Sequence, residues 1–161
     1  MPALLIPDHE TLKAWLDHGQ IPYYLCGSCQ GLHLNQLQEC PGIYDAKVEI
    51  EGDFLYLSAS IEVRPAGLMT AFAEMSRLNT HFPTLKIFIE MVDESLPRIL
   101  MCHNLALSPG MSQSQFLYFV QDCMDQMGQA AAEVNRLGVV YQGDEEPEEE
   151  AQPAPERALM H

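Results

Sequence analysis

The chain has 161 residues, 47% of them apolar, enough for one domain with a substantial core. Its formal charge of −15, from 23 acidic residues against eight Lys and Arg, excludes nucleic-acid binding through clustered bases on the phosphate backbone and favours a basic or amphipathic partner. The longest apolar run, Phe116 to Val120, is far short of the ~20 residues a bilayer helix needs, and Met1 to Ile6 lacks a basic leader region, so a cytoplasmic protein without membrane contact is expected.

Pro7-Asp8 opens a first helix in which Leu12, Trp15 and Leu16 share one face, with Gly19 as its stop. Tyr23 to Cys26 and Gly31 to Leu34 read as short extended segments on either side of a cysteine turn. The period then becomes two: Tyr44, Ala46, Val48 and Ile50 alternate with polar residues, and after Glu51-Gly52-Asp53 so do Leu55, Leu57, Ala59, Ile61 and Val63, which is a β-hairpin with one buried face. Pro65 suits the first turn of a second helix with a stripe of Leu68, Phe72, Met75 and Leu78, ended by Asn79 and Pro83. Phe72 is therefore expected in the core. A second hairpin runs from Thr84 to Val92, through Asp93-Glu94-Ser95, and back from Leu96 to Leu107, with Pro97 at a strand start or on an edge.

The last helix begins at a capping box, Ser112 with Gln115. Phe116, Val120, Cys123, Met127, Ala130, Val134 and Leu137 keep strict 4-3 spacing, and Leu117, Phe119, Met124 and Ala131 widen the stripe. At roughly 1.5 Å per residue, its about 25 residues reach nearly 40 Å, longer than one small sheet needs for cover. Phe116, Val120, Met124, Met127 and Val134 are accordingly the candidate partner-binding or dimer residues; the alternative is that the helix lies across its own sheet. The thioethers of Met124 and Met127 suit an adaptable surface.

The domain is expected over residues 1–141. Residues 142–161 hold seven acids, one arginine and three prolines, and form an acidic tail expected to be disordered, either a solubilising segment or an electrostatic arm. The element order α-β-β-α-β-β-α, with antiparallel hairpins, predicts an α+β fold: a sheet of two hairpins with flanking helices.

Three segments together, Tyr24-Leu25-Cys26-Gly27-Ser28-Cys29-Gln30-Gly31-Leu32-His33-Leu34, Gly42-Ile43-Tyr44-Asp45-Ala46-Lys47 and Ile61-Glu62-Val63-Arg64-Pro65, resemble the YbjN family of small bacterial sensory transduction regulators. The likeness runs from about Leu4 to Leu137. It implies a regulatory or chaperone-like protein with a fold similar to type III secretion chaperones, which are small, acidic, dimeric holders of client segments. A likeness of fold does not by itself transfer function.

Cys26, Cys29, His33 and Cys40 have the spacing C-x2-C-x3-H-x6-C, and thiolates with an imidazole suit tetrahedral zinc, although the spacing misses the zinc-knuckle pattern and Pro41-Gly42 can turn Cys40 away. A redox role for Cys26 and Cys29 is a second reading, although no strand-to-helix turn surrounds them. A disulfide closing so short a loop would add only about 2 kcal/mol. The favoured expectation is reduced thiols in a tight turn, with no metal and no cofactor. Gly27-Ser28-Cys29-Gln30-Gly31 also matches a thiol nucleophile elbow with His103 as a conceivable base, but the surrounding hairpins are antiparallel and no enzyme is expected. The function that follows is non-enzymatic regulation by chaperone-like binding of protein segments, as a homodimer. The alternative is a metal- or thiol-sensing regulator built on Cys26, Cys29 and His33.

Overall fold

The computed structural model describes residues 3–143. The expected acidic tail, apart from Gln142 and Gly143, lies outside the described residues. Helix α1 (His9–His18) starts where the Asp8 carboxylate accepts the Thr11 amide at 2.8 Å, and it buries Leu12, Trp15 and Leu16. Two short strands follow, β1 (Tyr23–Tyr24) and β2 (Leu32–Leu34), then a single turn of helix, α2 (Asn35–Gln38). The hairpin of β3 (Asp45–Glu51) and β4 (Phe54–Glu62) turns at Gly52-Asp53. A 3₁₀ turn at Pro65–Gly67 leads into α3 (Leu68–His81), the second hairpin comprises β5 (Lys86–Glu90) and β6 (Arg98–Ala106), and α4 (Gln113–Arg136) closes the domain.

The six strands form one antiparallel sheet in the order β1-β2-β3-β4-β6-β5. The expected α+β class and the two hairpins are present, and the element order gains α2 and the two short strands that frame the cysteine turn. Alternation sends Ala46, Val48, Leu55, Leu57, Ala59, Ile61, Ile87, Ile99 and Met101 to one face, where the helices cover them. Among the described residues no helix is long and apolar enough to cross a membrane.

The capping box forms as expected: Gln115 donates its amide to Ser112 Oγ at 3.2 Å while its side-chain oxygen accepts the Ser112 amide at 2.8 Å. The expected surplus on α4 is absent. Phe116, Val120, Met124, Met127 and Val134 are all buried within the chain's own core. The reason is that α4 has neighbours on both flanks. Trp15 of α1 packs on Phe116 with ring centroids 5.5 Å apart, Leu37 of α2 and Cys40 meet the helix near Met124 and Gly128, and Arg77 of α3 pairs with Glu133 at 3.4 Å. A wide stripe is what a central helix needs when a sheet lies beneath it and helices lie beside it.

Helix α3 keeps Leu68, Met75 and Leu78 of the expected stripe on its inner side, and Phe72 alone departs from it. Phe72 is 48% exposed, and the buried line runs through Ala71, Leu78 and Phe82, with Met75 half-buried. A Cβ on Gly67 would lie 3.0 Å from Val139, so the chain after α4 approaches closer than a bulky side chain would allow.

Candidate functional site

The β1–β2 connection carries Cys26 and Cys29 over the end of the sheet. Gly27 has φ +78°, a conformation an L side chain adopts only under strain, and it lets the chain double back between the two cysteines. Gly31 allows close approach: a Cβ there would sit 2.7 Å from Lys47 Cδ. The loop is tied to α1 by His9, whose Nε2 lies 2.6 Å from the Gln30 carbonyl oxygen.

Beneath this loop, β2 pairs with β3 so that Leu32 faces Val48 and His33 faces Lys47. Leu32 and Leu34 therefore enter the core, while His33 points to the opposite face of the sheet. It is nonetheless only 5% exposed, because the Tyr24 ring stacks on it at 5.0 Å and the cysteine loop covers it. Two residues along β3 on that same face, Asp45 reaches the imidazole, with His33 Nδ1 2.8 Å from Asp45 Oδ1. A carboxylate only accepts, so Nδ1 carries the hydrogen, and in the neutral ring Nε2 then presents its lone pair to the loop. Asp45 is itself fixed, accepting the Gln38 side-chain amide at 2.8 Å and the Ala46 backbone amide at 2.9 Å.

Nε2 lies 3.3 Å from Cys29 Sγ, which lies 3.3 Å from Cys26 Sγ. The donor atoms of Cys26, Cys29 and His33 all fall within 4.8 Å of one another. The two thiols have opposite characters. Cys26 is exposed, and its pKa is lowered to about 6 by the Ser28 hydroxyl 3.1 Å away, by the Ser28 amide and by the Cys29 thiol. Cys29 is pushed up, chiefly by donating its proton to the Cys26 sulfur. It thus has two acceptors for one S–H, the Cys26 sulfur and His33 Nε2. A low-pKa exposed thiol beside a protonated partner thiol and an oriented imidazole is the environment of a reactive cysteine pair.

Of the four residues whose spacing allowed a zinc site, although no metal was expected, the fold brings three together. Cys40 is excluded: α2 and the turn at Pro41-Gly42 carry it to the helical layer, where its sulfur lies 3.8 Å from the Gln36 carbonyl oxygen and faces Gly128 of α4. His103 takes no part either. It lies on the core side of β6, 3.6 Å from Cys123 Sγ and edge-on to Phe119 at 5.0 Å, with its pKa lowered by burial. The elbow at Gly27 to Gly31 joins two antiparallel strands, and the imidazole that meets Cys29 is His33, four residues on. Asp45 was not legible as a member of the site. Alternation places it on the polar face of β3, but only the pairing of β2 with β3 brings that face to His33.

Fold and site together define the class, an acidic two-layer α+β domain with a thiol–imidazole cluster on the face of its sheet away from the helices. The chain belongs to the YbjN family, whose model, described as "Putative bacterial sensory transduction regulator", matches residues 8–136. It is 32% identical over 146 residues to "Uncharacterized protein YbjN" of Escherichia coli K12, covering 91% of this chain and 92% of that one, and it has the same identity and coverage with the Shigella flexneri protein. The crystal structure of the E. coli protein, described as "a putative transcription regulator", superposes with a TM-score of 0.83 over 86% of this chain and 99% of that one.

Proposed function

We propose that this chain is a thiol-responsive regulator whose sensing element is the Cys26–Cys29 pair, cycling between dithiol and disulfide with His33 as its proton carrier. The observation that carries the reading is the continuous line from Cys26 Sγ to Cys29 Sγ to His33 Nε2, 3.3 Å at each step, anchored through Nδ1 on Asp45. With a peroxide as oxidant, the Cys26 thiolate attacks one peroxide oxygen. The O–O bond breaks, hydroxide leaves and takes a proton to become water, and Cys26 becomes a sulfenic acid. Cys29 then gives its proton to His33 Nε2 and attacks the Cys26 sulfur. The S–O bond breaks, and the departing hydroxide recovers the proton from His33 as water. Two thiols are oxidised, one peroxide is reduced, and the sulfurs close by rotation of an exposed side chain on a glycine-containing loop.

A net charge of −15 argues against direct contact with DNA, so the signal passes through a protein contact or a small ligand. The reading is tested by treating the reduced chain with one equivalent of hydrogen peroxide. The expected result is the loss of two hydrogens from the intact mass, mapped to a Cys26–Cys29 bridge, with Cys29→Ser accumulating a sulfenic acid at Cys26. Oxidation that instead falls on Cys102, or that is unchanged in Cys26→Ser, contradicts it.

A second reading, chaperone-like binding of a protein segment or of a second copy, no longer rests on α4's buried stripe but has support elsewhere. Strand β5 begins at Lys86, opposite Cys102, while β6 runs on to Ala106 paired with β4 alone. Beside that stretch lies a cleft of about 390 Å³ lined by His103, Leu105, Tyr118, Phe119 and Asp122. An extended segment could add to such an edge. Under this reading Leu105→Glu with Tyr118→Glu lowers the mass in solution or abolishes client binding while the domain stays folded, and an unaltered mass and unaltered binding remove it.

A further inference from the structure

The geometry of the reduced cluster fits more than redox chemistry. At tetrahedral angles, ligand bonds of about 2.3 Å to sulfur and 2.0 to 2.1 Å to nitrogen place neighbouring donors roughly 3.5 to 3.8 Å apart. Cys26 Sγ to Cys29 Sγ and Cys29 Sγ to His33 Nε2 are both 3.3 Å, and the remaining pair lies within 4.8 Å. The two short separations need a few tenths of an ångström of expansion. The third separation is adjustable by Cys26, whose side chain is exposed.

The imidazole is already set for ligation. His33 donates Nδ1–H to Asp45, and a metal-ligating histidine commonly makes this bond to a carboxylate, which fixes the tautomer and raises the basicity of the other nitrogen. Asp45 is held in turn by Gln38 and the Ala46 amide, so it orients the ligand and is not itself one. Lys47, the cation beside Cys29, is paired with Glu49 at 3.0 Å. Two thiolates and a neutral imidazole then balance one divalent cation.

Donor chemistry selects the ion. Two sulfurs and one nitrogen do not suit calcium or magnesium, which take oxygen ligands, and iron–sulfur clusters of the common kind take four cysteines. We infer that the reduced Cys26–Cys29–His33 cluster is a zinc(II) site with three protein ligands and a fourth position open to water or an incoming donor. An open fourth position is the arrangement of exchangeable and reactive zinc sites, whereas structural sites are closed by four protein ligands. Zinc and oxidant then compete for the same sulfurs: the disulfide has no thiolates to offer, and closing it releases the ion. The inference rests on the proposed reading only in using the reduced form of the same pair.

The test uses the full-length, metal-free, reduced chain titrated with zinc(II) against a chromogenic chelator, and separately with cobalt(II) read by absorption. The expected result is one zinc per chain, with thiolate-to-cobalt charge transfer and the intense visible bands of a four-coordinate ion. Cys26→Ser, which alters an exposed side chain and leaves the fold intact, weakens zinc binding at least 10-fold, Asp45→Asn weakens it about 10- to 100-fold, and Cys40→Ser leaves it unchanged. Sub-stoichiometric binding to the folded wild type, or wild-type affinity in folded Cys26→Ser, overturns the inference. A metal-free peroxide titration separates the two ideas. A chain that closes its disulfide but takes up no zinc loses only this inference, and one that binds zinc but never closes the disulfide loses only the redox reading.

Discussion

Cys26 and Cys123 show how far surroundings alone can separate two thiols in one small domain. Cys26 lies in solvent with a hydroxyl and two amides turned toward its sulfur, and its pKa falls to about 6. Cys123 sits in the core between α4 and the sheet, where burial pushes its pKa up to about 12. At pH 7 the first is mostly thiolate and the second is essentially all thiol. Iodoacetamide should therefore modify Cys26 quickly, at a rate that is level above about pH 7 and falls with pH through about 6, while Cys123 reacts only on unfolding. Peptide mass analysis of timed samples reads this directly. An equal rate at the two cysteines, or a Cys26 rate that still climbs between pH 8 and 9, would mean that Ser28 and the loop amides do not hold the thiolate. At this scale the cysteines and His33 were legible from their spacing, because one turn and one short strand lie between them. Asp45 was not, since it reaches His33 through strand pairing 12 residues away.

Among the elements, the local signals were reliable where the cause is local. Asp8 before α1, the Ser112–Gln115 box before α4 and the alternation of β3 and β4 each depend on atoms within a few residues. The errors arise where a neighbour decides. The apolar width of α4 reads as surplus until α1, α2 and α3 are placed beside it, and Phe72 outweighs Ala71 in any hydrophobicity count although the fold buries Ala71 and leaves Phe72 48% exposed. The consequences are measurable. Phe116→Ala, which empties a fully buried ring site against Trp15, should cost about 3 to 5 kcal/mol in denaturant unfolding, whereas Phe72→Ala should cost less than about 1 kcal/mol. The double change Val120→Glu plus Met127→Glu should unfold the chain, because each would bury a charge without a partner. A folded double variant of lower mass in solution would instead restore the stripe as a subunit contact.

For the molecule as a whole, the layers divide the work. Helices and the inner sheet face supply the stability, and the cysteine loop lies outside that core at the β1–β2 end of the sheet, tied down by His9, Tyr24 and Gly31. Chemistry at the loop is thereby separated from folding: Cys26→Ser plus Cys29→Ser should change stability by less than about 1 kcal/mol, with the Cys102 and Cys123 environments intact. The fold class was readable because hairpins and amphipathic helices announce themselves locally. The assembly of the site was only half readable, because it needs the β2–β3 register that β1, β2 and α2 together impose.

The reduction potential of the Cys26–Cys29 pair decides most directly whether this loop can act as a redox switch. A stabilised Cys26 thiolate favours the reduced form, which raises the potential above the values below roughly −300 mV typical of structural disulfides. Equilibration of the metal-free chain in glutathione redox buffers, quenched with acid and read by intact mass, should give one reversible two-electron transition between roughly −280 and −180 mV, lost in Cys26→Ser and in Cys29→Ser. A pair that stays reduced throughout that range, or an oxidised species bridging any other two cysteines, would contradict the assignment of this loop as the protein's sensing element.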